Sequence, residues 1–138
     1  SFTEVANTAG IATFARSRGA GLADFDGDGR LDLIVSNRRA PLELYRNVTA
    51  RTGNWITVDL QQAGGNRNGI GAVMTVTAGG TSQTVQHLVG GGHAGGQLLP
   101  RHFGLGAEQS ATVTVNWPDG TQSQTSGWAG DRLQIRKP

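Results

Sequence analysis

The chain has no cysteine, which excludes disulfides and thiolate metal sites and leaves the redox compartment unread. It is also poor in aromatic and apolar residues, at 6% and 36% of 138 residues. No apolar run approaches the roughly 20 residues that cross a bilayer, so membrane insertion is not expected. The N-terminus lacks the charged and apolar regions of a signal peptide, and the chain reads as a soluble, mature or trimmed segment. Neither charge sign dominates: twelve Lys plus Arg face ten Asp plus Glu, for a formal +2. The basic residues are scattered, with Arg38 and Arg39 the only adjacent pair before Arg136 and Lys137. That is a solvated surface, without the stripe that a nucleic-acid partner requires.

What is abundant is glycine, with 22 residues. Together with the thin apolar content it suits many short strands joined by tight turns, and the chain is read as all-β. The length allows one ordinary domain or two small β units sharing a boundary. Through Asn47, short apolar stretches at Phe2 to Val5, Gly21 to Phe25, Leu31 to Ser36 and Leu42 to Arg46 predict a four-stranded antiparallel sheet. A polar stretch from Val48 to Asn54 reads as a linker. The expected units are therefore 1–50 and 51–138.

In the second unit, Ile56, Val58 and Leu60 alternate with Trp55, Thr57 and Asp59, the period of a strand with one buried face. Ala72 to Ala78 and Thr81 to Val89 flank Gly79-Gly80, a hairpin signal. Ala111 to Trp117 and Thr121 to Ser126 flank Pro118-Asp119-Gly120, another turn with a mechanism. Val113, Val115 and Trp117 are the predicted inner face, and Leu133 and Ile135 repeat it in a last strand. The stretch Gly90 to Gly96 has almost no side chains to pack and reads as an irregular loop whose ordering is costly unless something fixes it.

The strongest chemical signal runs from Asp24 to Asp32. Asp24, Asp26, Asp28 and Asp32 stand at loop positions one, three, five and nine. Four anions in so short a span repel unless a cation sits among them. Gly27 and Gly29 let the chain wrap, and the Arg30 carbonyl supplies a further oxygen at position seven. Hard oxygen donors without His or Cys favour Ca2+. The loop is not a complete EF-hand, because position twelve is Val35 where that motif needs a bidentate glutamate. A solvated Asp/Gly turn is the bland alternative.

The stretch from Gly21 to Asn37 closely resembles an FG-GAP (VCBS-type) repeat, the calcium-bearing blade of integrin-like β-propellers. Phe2 to Ile11 looks like the lead-in to such a repeat, and Leu44 to Asn47 like the strand that follows it. The remainder resembles the ASPIC/UnbV domain through Asn68 to Ala72, His102 to Gly106 and Trp117 to Gly120. Together the two resemblances cover nearly the whole chain. They imply one propeller-blade-like antiparallel unit followed by a small antiparallel β-sandwich or barrel-like domain, secreted or at the cell surface, extracellular or periplasmic. They imply Asp24, Asp26, Asp28 and Asp32, with the Arg30 carbonyl, as calcium ligands, and no catalytic residue. The segment Gly92 to Gln97 departs from the serine- and tyrosine-containing segment usual before the Phe-Gly-Leu-Gly motif. A single blade cannot close a propeller or bury both its faces. Either the chain is the C-terminal piece of a larger protein, the preferred reading, with the rest of a larger propeller as a partner, or the blade packs on the β domain that follows it.

Weaker signals carry bland readings as well. His87, His93 and His102 match no common ligand spacing and read as surface or packing residues; His93, in the glycine loop, is the one placed for ligand contact. Trp55 and Trp128 could stack on sugar rings, with Gln97 and Arg101 as polar contacts, whereas Trp117 reads as core. Asn47-Val48-Thr49 fits the glycosylation sequon, which recurs by chance. No nucleophile and base can be paired from the sequence, so no enzyme is expected. The function implied is a calcium-stabilised recognition or adhesion module for an extracellular protein or glycan, with a carbohydrate-binding module or a non-binding structural appendage as alternatives.

Overall fold

The computed structural model describes every residue except Arg51, Thr52, Gly92 and Ala94. The predicted linker and glycine loop therefore lie partly outside the described residues. The architecture is all-β, with one helical turn, α1 (Ala6–Ala9), at the start. The predicted strand from Phe2 to Val5 does not form. Phe2 is fully exposed and no strand among the described residues pairs with it; without a partner its backbone cannot form a ladder. The Glu4 carboxylate instead accepts the Ala6 N–H, and Gly10, at φ 73°, ends the turn in the left-handed position.

The first sheet therefore has three strands: β1 (Ser17–Ala23), β2 (Asp32–Asn37) and β3 (Glu43–Tyr45), antiparallel and in that order. β1 starts before its predicted place, running through a glycine-rich segment that carries little apolar signal. Gly21 is there for space, since a Cβ would sit 3.3 Å from both the Ile34 side chain and the Gln97 amide.

Among the described residues seven strands follow: β4 (Asn54–Gln61), β5 (Val73–Ala78), β6 (Thr81–Gln86), β7 (Arg101–Gly106), β8 (Ser110–Asn116), β9 (Gln122–Trp128) and β10 (Arg132–Arg136). They form two sheets, β10-β4-β7 and β6-β5-β8-β9. The predicted hairpins stand where the turn chemistry put them. Gly79 and Gly80 both have positive φ, 53° and 78°, as a two-residue hairpin turn demands. Asp119 accepts from the Thr121 N–H and hydroxyl, with Gly120 at φ 86°. Lys137 pairs with the same carboxylate and, with Thr121, holds its pKa down to about 2.

The inner faces of these two sheets make the core. Ile56, Val58, Leu60, Phe103, Leu105 and Ile135 from one meet Met74, Val76, Ala111, Val113, Val115 and Trp117 from the other. The predicted alternations from Ile56 to Leu60 and from Val113 to Trp117 thus point inward as read. β7 was not expected, because Gly104 and Gly106 interrupt its apolar pattern, yet Phe103 and Leu105 are buried. One pairing departs from antiparallel order: β10 runs parallel to β4, with Leu133 opposite Val58 and Ile135 opposite Leu60.

Candidate metal centre

The loop between β1 and β2 is held by its own carboxylates. Asp24 accepts from the Gly27 N–H at 2.8 Å, the Asp28 N–H at 3.0 Å and the Gly29 N–H at 2.9 Å. Asp28 accepts from the Arg30 N–H at 2.9 Å. Gly27 and Gly29 adopt φ of 76° and 89°, left-handed backbone that a side chain would strain. The wrapped chain brings oxygens of Asp24, Asp26 and Asp28 within 4.8 Å of one another. Two oxygens on one calcium, each at 2.3–2.6 Å, lie no more than about 5 Å apart. The three carboxylates therefore fit a hard cation in both donor type and spacing. Among the described residues this is the one group of three or more metal-ligating side chains brought together.

Asp32 stands apart from that group. It is buried, and each of its oxygens already accepts a backbone N–H: Asn47 at 2.8 Å and Phe25 at 3.0 Å. It ties the start of the loop, at Phe25, to the segment that follows β3, at Asn47. Arg30 enters through its guanidinium, which pairs with Asp28. Arg46, unmarked as a site residue in the sequence, reaches Asp26 at 2.6 Å and Asp28 at 3.7 Å. Burial pushes the Asp26 pKa up, but the Arg46 hydrogen bond and charge outweigh it, and the group sits below its ordinary value. Asn47 is likewise engaged, donating to the Leu31 carbonyl and accepting from the Thr49 N–H. The sequon asparagine is thus part of the loop's frame.

The loop also packs on the second region. The Gly29 carbonyl lies 3.0 Å from the His102 ring nitrogen Nε2. His102 stacks on Trp55, ring centroids 5.5 Å apart and planes at 17°. A Cβ on Gly29 would stand 1.8 Å from the Trp55 indole nitrogen, which is buried without a hydrogen-bond partner among the described residues. Trp55 points away from the sandwich core, as its alternation predicts, but it covers the aspartate loop and is not a free platform.

The other candidate contacts are dispersed. Gln97 brackets the edge of β1, accepting from the Leu22 N–H at 3.0 Å and donating to its carbonyl at 2.7 Å. Arg101 donates to His87 Nδ1 and to the Leu88 carbonyl. His87 is buried, and burial followed by the Arg101 charge lowers its pKa. His93 is exposed in a turn and Trp128 is exposed. Trp117 is core, its indole N–H donating to Ser123.

The FG-GAP repeat model matches residues 17–54, a span that holds this hairpin and its aspartate loop. The family model described as ASPIC and UnbV matches residues 62–138, more than half of the chain. The chain belongs to the ASPIC and UnbV family, with an FG-GAP repeat ahead of that domain. It is similar to cartilage acidic protein 1 of Homo sapiens, 32% identical over 131 residues, which is 89% of this chain and 20% of that protein. To the Mus musculus protein of the same name it is 34% identical over 110 residues, 76% of this chain and 17% of that one. The chain thus spans about a fifth of the human relative.

Proposed function

We propose that the chain is a calcium-stabilised recognition or adhesion module that works outside the cell, secreted or at a cell surface. The observation that carries this is the convergence of Asp24, Asp26 and Asp28 on one point within an FG-GAP repeat. These three carboxylates would hold the ion, with the Arg30 carbonyl and Asp32 completing or supporting the loop. The ion's contribution is charge: it replaces mutual repulsion among the aspartates with attraction at one centre. The relatives' name, which places them in cartilage, supports an extracellular setting. No helix among the described residues is long and apolar enough to cross a membrane.

We divide the chain into an FG-GAP unit over 1–50 and an ASPIC/UnbV unit over 51–138. The contact of Gly29 with Trp55 and His102 makes the cation loop part of the joint between them, so calcium would also steady their relative placement. An extracellular protein or glycan, and the rest of a larger propeller, are the partners this reading admits. It assigns no catalytic role, since His87, His93 and His102 are respectively buried, exposed and stacked in different places. A paired-tryptophan sugar platform has less support, because Trp55 is taken up by the loop.

Calorimetric titration with calcium, run beside a thermal melt, tests the reading. The wild type should bind saturably with a dissociation constant of roughly 0.1–1 mM, as extracellular sites do. Calcium at ten times that constant should stabilise it by about 1.4 kcal/mol. The Asp26→Ala, Asp28→Ala double variant should lose both effects. A wild type that binds no calcium would return the loop to a solvated turn.

A further inference from the structure

The β1–β2 hairpin carries opposite charge at its two ends. Its turn holds the aspartates, and its open end holds Arg16, Arg18, Arg38 and Arg39. In the sequence these arginines are two separate pairs; the antiparallel pairing joins them. Ser17 lies opposite Asn37, and the Arg38 N–H donates to the Arg16 carbonyl at 2.9 Å. The register shifts between Ser17 and Gly19, which makes Arg18 the extra residue of a bulge, a device that re-aims a side chain. Arg39 turns the corner with φ of 56°, backbone that a non-glycine residue rarely adopts.

All four arginines are exposed, and the ion pairs among the described residues involve none of them. β2 has six residues, so the carboxylate end is about 20 Å away. That is more than twice the roughly 8 Å over which physiological salt screens exposed charges. The acidic loop therefore does not neutralise this corner, and the carboxylate near it, Glu43 opposite Val35, is engaged by the Thr13 and Tyr45 hydroxyls, so four arginines outnumber it.

The chemistry of the corner selects its ligand. A guanidinium is a planar fork, more weakly hydrated than an ammonium, that grips oxyanions through two parallel hydrogen bonds. Only one exposed ring, Phe14, stands close by in the chain, whereas single-stranded nucleic acid needs successive stacking platforms and a duplex needs an element that enters a groove. Next to the arginines the sheet face opens into a shallow hollow of about 360 Å³ lined by Gly19, Ser36, Leu42 and Leu98. We propose that this corner binds a linear polysaccharide carrying sulfate or carboxylate groups, with the arginines on the anionic groups and the hollow against the sugar backbone. The proposal depends on the hairpin and stands apart from the calcium reading.

The test titrates the chain, at physiological ionic strength, with size-defined heparin, hyaluronan, a single-stranded oligodeoxynucleotide and phosphatidylserine vesicles. One or both polysaccharides should bind; heparin alone would mark sulfate as the recognised group, and hyaluronan as well would mark carboxylate. Replacing Arg16→Gln, Arg18→Gln, Arg38→Gln and Arg39→Asn together should weaken binding on the order of tenfold or more, the sum of four exposed charge contacts. The pair Arg16→Gln, Arg18→Gln, which leaves the strained turn untouched, should show part of that loss with an unchanged melt. A control with Arg67→Gln and Arg132→Gln should bind as wild type does, and Asp26→Ala, Asp28→Ala should keep polysaccharide binding while losing calcium. The idea is overturned if neither polysaccharide binds, if the arginine variants bind as wild type does, if the control weakens equally, or if the oligonucleotide or the vesicles bind more tightly.

Discussion

The three-stranded sheet and the two-sheet sandwich are held by different forces. From Ile56 to Ile135 the buried core is apolar, with Ile56, Val58, Met74, Val113 and Val115 at 0% exposure. In the first fifty residues the one fully buried residue is Asp32, a carboxylate at 3% exposure. The sandwich is stabilised by apolar area removed from water, roughly 1.5–3 kcal/mol for each fully buried large aliphatic side chain. The small sheet has no such centre; hydrogen bonds from the amides of Phe25 and Asn47 to a carboxylate stand in its place. A short unit can thus be ordered around a charge, provided that every oxygen of the charge is satisfied.

Five substitutions sharpen this contrast, beyond the calcium titration. Ile56→Ala should cost about 2–5 kcal/mol and lower the cooperative unfolding of the sandwich in a denaturant titration. Asp32→Ala should cost about 1.5–3 kcal/mol, the range for hydrogen bonds to a charged group. Its effect should be local, with hydrogen exchange speeding up from Ser17 to Tyr45 and staying slow in β5 and β8. If instead β5 and β8 loosen equally, the two regions form one cooperative unit and the contrast fails.

Gly29→Ala and Gly27→Ala separate backbone strain from contact. Both glycines have positive φ, but a Cβ on Gly27 meets nothing within 4 Å, while one on Gly29 collides with Trp55. Gly27→Ala should cost only the left-handed backbone, about 1 kcal/mol. Gly29→Ala should cost about 1–3 kcal/mol more from overpacking and shift the Trp55 fluorescence. Equal effects would mean that the loop does not bear on β4.

The smallest effect concerns acid. Burial and the Arg101 charge depress the pKa of His87, so between that lowered value and the ordinary value near 6.5 the unfolded chain binds the proton and the folded one does not. The stability contributed by neutral His87 is full above about pH 6.5 and declines as pH falls through the lowered folded value. His87→Gln should flatten the pH dependence of the melt across that window. An unchanged slope would show that His87 does not set it.

Much of this was legible because its cause is local. Period-two alternation placed Ile56, Val58 and Leu60, and Val113, Val115 and Trp117, on inner faces, and turn chemistry located Gly79-Gly80 and Pro118-Asp119-Gly120. The spacing of Asp24, Asp26 and Asp28 follows from the wrap of a glycine-bearing loop, and the resemblance to both families was carried by short contiguous motifs. What was missed depends on distant partners. The stretch Phe2 to Val5 has a strand's composition but no strand beside it. β7 has glycines where a strand alone would want side chains, yet β4 pairs with it and buries Phe103 and Leu105. The partners of Gln97 and Arg101 are likewise distant in the chain, Leu22 for one and His87 and Leu88 for the other.

By itself, then, the sequence determined the all-β class, the two central hairpins, the inward faces and the carboxylate-bearing loop, because each depends on residues within about one turn or one strand of each other. Tertiary structure alone decided that β10 runs parallel to β4, that Asp32 lies in the frame of the loop, that Trp55 and His102 cap Gly29, and that four arginines share one corner. Those outcomes join residues far apart along the chain, where register and pairing, rather than local pattern, set which side chains meet.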